Sequence, residues 1–142
     1  MKSLFSAEDQ QKIIEAIKSA ELNTSGEIKV HIESHCKFDV IDRAADVFNK
    51  LGMANTALRN GVLIYLAITD HRFAIIGDKG INEKVSDHFW ADTRDIMQKK
   101  FKEQKFTEGL VEGILKAGEQ LKTYFPYSKN DTNELNDQIS FG

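Results

Sequence analysis

The spacing of apolar residues predicts four helices and three strands along the chain. Three isoleucines recur at helical intervals shortly after Ser6, a residue type that caps helix N-termini. Residues 27–33 alternate instead, with Ile28, Val30 and Ile32 on one face and polar side chains on the other, which predicts a strand with one face towards water. The same criteria predict helices over residues 6–22, 39–51, 83–102 and 106–124, and strands over 27–33, 61–68 and 72–77.

The order of these elements predicts the sheet topology. Residues 61–68 are almost entirely apolar, as expected for a central strand covered on both faces. A helix separates this strand from the first one, so the two should form a parallel pair through a right-handed crossover. Turn-forming residues at 69–71 predict that the third strand returns antiparallel. We therefore expect a three-layer α/β/α sandwich with a small mixed sheet.

A change in composition near the only proline predicts a domain boundary. Residues 1–125 carry the predicted elements, whereas residues 126–142 are mostly small and polar. We expect a single α/β domain over 1–125 and a flexible C-terminal tail over 126–142. Removal of such a tail would leave the stability of the domain nearly unchanged.

Composition and charge exclude several classes of function. The 142 residues carry a net charge of -3, so the chain lacks the positive field on which nonspecific nucleic-acid binding depends. Cys36 is the only cysteine, which excludes an internal disulfide and favours a reducing compartment. Neither a signal peptide nor a membrane span is apparent. We expect a cytoplasmic protein without stable membrane insertion.

Four short segments lie in order around the predicted sheet: Thr24–Ile28, Arg59–Ile64, Gly77–Ile81 and Phe106–Ile114. Taken together, they resemble the TPM domain family. Their spacing around the predicted sheet makes the joint match more specific than any one of them, and together they span most of residues 5–125. The segment at 87–90 is most similar to short cytosolic members.

The resemblance implies an α/β/α sandwich and, for some members, calcium binding and an acid phosphatase activity. Many members have an aspartate before the Asn-Gly that opens the central strand, and this chain has Arg59 there. A guanidinium repels a hard dication, which favours several oxygen ligands. The substitution weakens any calcium site that the resemblance implies.

The predicted topology gathers a set of polar residues at one end of the sheet. Oxygens of Glu27 and Asp78 could bind a cation such as calcium, whereas Arg59, Lys79 and nearby backbone N–H groups could bind a phosphate or carboxylate. Alternatively, the glycines there only permit a turn. The candidate ligand-binding residues are Glu27, Arg59, Asn60, Asp78, Lys79 and Gly80.

A second polar set should lie at the opposite end of the sheet and includes His35, Cys36, Asp39, Asp70 and His71. Cys36 beside His35 suggests a nucleophile and its base, with Asp39 orienting the imidazole. Adjacent residues in an extended segment point to opposite faces, so an ordinary thiol is favoured. No catalytic residue is identified.

Two functions from different classes fit these observations. The favoured one is a noncatalytic binding or assembly module that recognises a protein or a small ion at the Glu27 and Asp78 end of the sheet. The alternative is a hydrolase of phosphorylated substrates, resembling an acid phosphatase and binding calcium. The lack of a nucleophile and base pair, together with Arg59 in place of the carboxylate, favours the binding module.

Overall fold

The computed structural model describes residues 4–127 and 134–142. Within these residues the helices are α1 (Ala7–Glu21), α2 (Val40–Lys50), α3 (Lys79–Asn82), α4 (Ala91–Lys102) and α5 (Phe106–Leu121). The strands are β1 (Glu27–Glu33), β2 (Gly61–Ala67), β3 (Arg72–Gly77) and β4 (Ser140–Phe141), and a short 3-10 helix spans Met53–Asn55. None of the described helices has the length and apolar character needed to cross a bilayer.

The strands form one mixed sheet in the order β3-β2-β1-β4. β1 and β2 are parallel and are joined through α2, while β3 is antiparallel to β2. These two pairings confirm the predicted topology. β4, which the sequence did not predict, pairs in parallel with the other edge of β1.

Helices cover both faces of the sheet. α1, α4 and α5 pack on the face formed by Ile28, Val30 and Ile32 and their neighbours in β2. α2 and the 3-10 helix pack on the other face, against Leu63 and Tyr65. The structure is therefore the predicted α/β/α sandwich, with a separate apolar cluster on each side of the sheet.

The helix predicted over residues 83–102 begins only at Ala91. The preceding aromatic residues, Phe89 and Trp90, pack edge to face with their ring centroids 4.6 Å apart. The carbonyl of Phe89 accepts a hydrogen bond of 2.6 Å from the Gln120 side chain of α5. Apolar residues in this stretch thus reach the core from a nonhelical backbone, which explains why their helical spacing was misleading.

The segment after Pro126 was expected to make few apolar contacts with the domain. Where the structure describes it, the segment packs against the core. Leu135 packs on the α2 side of the core, whereas Ile139 and Phe141 pack on the opposite side. The expectation is therefore wrong for residues 134–142, and the other part of the predicted tail, 128–133, lies outside the described residues. The division of the chain after residue 125 and the flexibility of the tail stay predictions.

Deleting residues 134–142 should lower the free energy of unfolding by about 2 kcal/mol or more, because three half-buried apolar side chains each contribute roughly 1 kcal/mol. Urea unfolding of the parent and the truncated protein measures the difference. Gln138→Ala is the matched control, since this residue is exposed and its contact to Lys29 uses the backbone carbonyl. An unchanged unfolding midpoint after the deletion would contradict the observed packing.

Candidate functional site

A salt bridge between Arg59 and Asp78 dominates the predicted end of the sheet. Arg59 Nε and Nη2 donate to the two carboxylate oxygens of Asp78 at 2.7 and 2.9 Å. The carboxylate also accepts from the backbone N–H of Lys79 at 2.7 Å, which caps α3. Asp78 is 6% exposed, whereas the Arg59 side chain is 45% exposed. The hydrogen bonds from Arg59 to the carboxylate raise the pKa of the guanidinium.

The backbone beneath this pair is closely packed. Arg59 has a positive φ of 51°, which is uncommon for a residue with a side chain. Its carbonyl accepts a hydrogen bond of 2.8 Å from the Gly80 N–H. A Cβ atom at Gly80 would lie only 2.2 Å from the Leu58 carbonyl oxygen. Gly80 is therefore required for close approach, and its contact holds Arg59 in its strained conformation.

Asn60 is almost fully buried beside the salt bridge, with 2% of its surface exposed. Its side-chain N–H donates to the Ser25 carbonyl at 3.1 Å, and its backbone N–H donates to Thr56 Oγ1. Among the described residues its side-chain oxygen has no hydrogen-bonding partner. Buried polar atoms are rarely unpaired, so this enclosed oxygen is an unusual feature of this end of the sheet.

Glu27 starts at the same end of the sheet but has other partners. Its backbone N–H donates to the Asn60 carbonyl, whereas its buried carboxylate accepts from the backbone N–H of Leu135 at 2.8 Å. Burial raises the pKa of Glu27. The structure therefore places Glu27 beneath residues 134–135, while Asp78 is bound by Arg59. Their joint role as cation ligands stays a prediction.

A cleft of about 490 Å³ opens beside the salt bridge, on the α2 side of the sheet. Its mouth carries two cationic side chains, those of Arg59 and Lys79, together with the acidic Glu83. Lys79 and Glu83 form an exposed ion pair of 3.8 Å. The remaining wall is contributed by Ala45, Phe48, Asn49, Ala54, Ile76, Gly77, Asp78 and Asn82.

The opposite end of the sheet lacks the arrangement of a thiol catalyst. His35 Nδ1 lies 2.9 Å from an oxygen of Asp70, whose other oxygen accepts from the Cys36 backbone N–H. The Cys36 thiol is buried and donates to the Phe38 carbonyl at 3.2 Å. The sequence suggested that Asp39 orients the His35 imidazole, but the Asp39 carboxylate instead caps the N-terminus of α2. An ordinary thiol is the interpretation that fits.

The polar face of β1 is buried, which contradicts the expectation that it would be wet. Glu27, Lys29, His31 and Glu33 are each at most 8% exposed. Lys29 Nζ donates to the Asn136 side-chain oxygen at 2.6 Å and to the Gln138 carbonyl at 2.8 Å. The alternation predicted the strand correctly, but it could not reveal that a distant segment covers its polar side.

Glu33 is the centre of a second set of contacts on this face. Arg43 of α2 donates to both of its oxygens at 2.8 Å, and the Tyr65 hydroxyl donates to one of them. His31 links this carboxylate, at 3.1 Å, to the Ser140 hydroxyl of β4, at 2.8 Å. Burial acts in the opposite direction, but hydrogen bonds from Arg43, Tyr65 and His31 lower the pKa of Glu33 to about 2.

The family model of the TPM domain matches residues 1–120. The chain belongs to the TPM domain family. No functionally curated protein matches it.

Three solved structures are similar to this TPM domain. The BA42 protein of the psychrophilic bacterium Bizionia argentinensis is 54% identical, with a TM-score of 0.92 over 97% of this chain and 95% of that one. The N-terminal domain of a P. gingivalis protein is 19% identical, with a TM-score of 0.71 over 89% and 83%. The N-terminal domain of cg2496 from Corynebacterium glutamicum is 14% identical, with a TM-score of 0.65 over 92% and 80%. The last two show a shared fold alone.

A carboxyl pair joins α1 of this TPM domain to the C-terminal segment. One oxygen of Glu21 accepts from the Ile28 backbone N–H at 3.0 Å, on the edge of β1. The Glu21 side chain also hydrogen bonds to Asp137. Burial, reinforced by this hydrogen bond and by the negative charges of Asp137 and Glu27, raises the pKa of Glu21 to about 9. The pair of carboxyl groups therefore binds a proton more tightly than two separate carboxyl groups would.

Gly80→Ala should destabilise the protein by about 1–3 kcal/mol, because the added methyl group collides with the backbone at Leu58. Lys79→Ala is the control, since this side chain is 70% exposed and its loss should cost no more than about 0.5 kcal/mol. Chemical unfolding of both variants measures the effect. Equal stability of the two variants would show that the close approach at Gly80 is not required.

Glu21→Gln should gain stability relative to the parent as the pH rises from 5 to 9. The raised pKa of Glu21 means that its contribution is fully present below the unfolded value of 4.5 and is lost as the pH approaches about 9. Glutamine keeps an acceptor for Ile28 and a donor for Asp137 at every pH. Titratable groups that do not interact with Glu21 are common to both proteins and cancel in the difference.

Urea unfolding of the parent and Glu21→Gln at several pH values measures this difference. A difference that stays constant between pH 5 and 9 would show that Glu21 is ionised in the folded protein.

Proposed function

We propose that this TPM domain is a noncatalytic binding module that takes an anionic group of a protein or small molecule at Arg59. The observation that carries the proposal is the half-exposed guanidinium, fixed by a buried carboxylate at the mouth of the 490 Å³ cleft. Among the described residues, Asp78 accepts hydrogen bonds from two of the five N–H groups of Arg59. The other N–H groups of Arg59 can bind a carboxylate or phosphate.

Preorganisation supports this assignment. A long, exposed arginine loses side-chain entropy when it binds a ligand, and the bidentate contact with Asp78 has already removed part of that entropy. The contact between Gly80 and the Arg59 carbonyl fixes the backbone as well. Lys79 adds a second positive charge at the cleft.

The contacts of Asp78 support an anion site better than a cation site or a hydrolase. Both oxygens of Asp78 accept hydrogen bonds from Arg59, so a dication there would have to compete with a guanidinium. The described residues contain no group of three or more His, Cys, Asp or Glu side chains arranged for a metal ion. The unpaired oxygen of Asn60 is the feature that favours a cation or another donor, and calcium is therefore included in the test.

Isothermal titration of the protein with citrate, with inorganic phosphate and with calcium tests the proposal. Arg59→Gln should weaken binding of the recognised anion at least about tenfold, because a hydrogen bond to a charged group contributes about 1.5–3 kcal/mol. Arg72→Gln is the matched control, since this arginine is exposed and contacts the Phe38 carbonyl at the other end of the sheet. Binding that is equal in both variants would contradict the role of Arg59.

Asp78→Asn separates an anion site from a cation site. The amide keeps one oxygen to cap α3 and removes the negative charge, but it also removes one of the two acceptors that orient Arg59. Anion binding should therefore weaken less in Asp78→Asn than in Arg59→Gln. Calcium binding that this substitution weakens would establish the cation site instead. Hydrolysis of a phosphate ester that is lost in Asp78→Ala and retained in Asp70→Ala would establish the hydrolase.

A further inference from the structure

A groove along the outer edge of β1 holds residues 134–142 in an extended conformation. Its floor carries Glu27, Lys29 and His31, and β4 is the only part of the described segment that pairs as a strand. Near the start of β1, the carboxyl group of Glu21 covers the same edge and accepts a hydrogen bond from the Ile28 N–H. The edge of β1 is thus covered by side chains and by one short strand.

The groove binds this segment mainly through its backbone. Glu27 accepts from the Leu135 N–H at 2.8 Å, and Lys29 donates to the carbonyls of Asn136 and Gln138 at 3.3 and 2.8 Å. The Ile32 carbonyl accepts from the Gly142 N–H at 2.9 Å. Contacts to the main chain depend on an extended conformation and only weakly on sequence, as in the addition of a strand to a sheet edge.

Side chains add a modest sequence preference. Lys29 also donates to the Asn136 side-chain oxygen, and His31 lies 2.8 Å from the Ser140 hydroxyl. Leu135, Ile139 and Phe141 provide apolar contacts but are only half-buried. A nine-residue extended segment with an acceptor side chain at the third position and a hydroxyl at the seventh has the matching chemistry.

The composition of β1 indicates that the segment can leave the groove. Every residue of β1 on this face is polar or charged, so its exposure to water costs little compared with exposure of an apolar face. A strand that is buried permanently on both faces is usually apolar throughout, as β2 is. The apolar side chains of the segment are only half-buried, so it opens at a lower cost than an element of the core.

We propose that the edge of β1 is an acceptor site for an extended strand of a partner protein, and that residues 134–142 occupy this site as a competing segment in cis. The partner strand would run parallel to β1, with its carbonyls at Lys29 and a backbone N–H at Glu27. Displacement exposes the cis segment and replaces its contacts one for one. This acceptor site is separate from the Arg59 cleft.

A fluorescent peptide with the sequence of residues 134–142 tests the proposal on the 142-residue protein. The tethered segment has an effective concentration on the order of millimolar, so the parent should bind the peptide weakly. Asn136→Ala combined with Ile139→Ala weakens the segment in cis, and this variant should bind the peptide at least about tenfold more tightly by fluorescence anisotropy. Gln138→Ala, whose contact uses the backbone, is the matched control and should behave as the parent.

Lys29→Met added to the weakened variant should abolish peptide binding, because the carbonyls lose their donor. Circular dichroism establishes that each variant is folded. A folded, weakened variant that does not bind the peptide, binds a scrambled peptide equally well, or binds independently of Lys29 would overturn the proposal. Should the double substitution unfold the protein, Asn136→Ala alone gives the same comparison.

Discussion

The buried polar face of β1 is the constraint on which much of the structure depends. Four ionisable or polar side chains lie on one side of a central strand, and each must find a partner because unpaired burial is costly. α2 supplies Arg43 to Glu33, and the C-terminal segment supplies acceptors to Lys29. The sheet therefore extends to a fourth strand, and the segment that carries this strand is attached largely through polar contacts. The opposite face of β1 is covered by apolar packing of the helices.

Chain direction then separates the polar residues of the molecule into distinct sites. Because β1 and β2 are parallel and β3 returns, Glu27, Asn60 and Asp78 all lie at one end of the sheet. Local contacts divide them further, since Arg59 binds Asp78 while the C-terminal segment covers Glu27. One sheet end thus presents a half-exposed cation beside a cleft, and the neighbouring edge presents a groove for an extended chain.

The sequence predicted those features that depend on local patterns. Alternation identified β1, a continuous apolar run identified β2, and turn residues predicted the return of β3. The predicted topology also placed Arg59 and Asp78 at the same end of the sheet. Their salt bridge, however, depends on a positive φ at Arg59, which no sequence pattern indicates. β4 was missed because two residues carry no period, and because its pairing with His31 and Ile32 joins positions more than a hundred residues apart.

A crystal of the protein soaked in calcium and phosphate distinguishes an anion site at Arg59 from a cation site at Asp78, since both ions compete for the same end of the sheet. We expect phosphate density against the guanidinium of Arg59, with the contact to Asp78 intact. Calcium density between the oxygens of Asp78 and Asn60, with Arg59 displaced, would contradict this expectation.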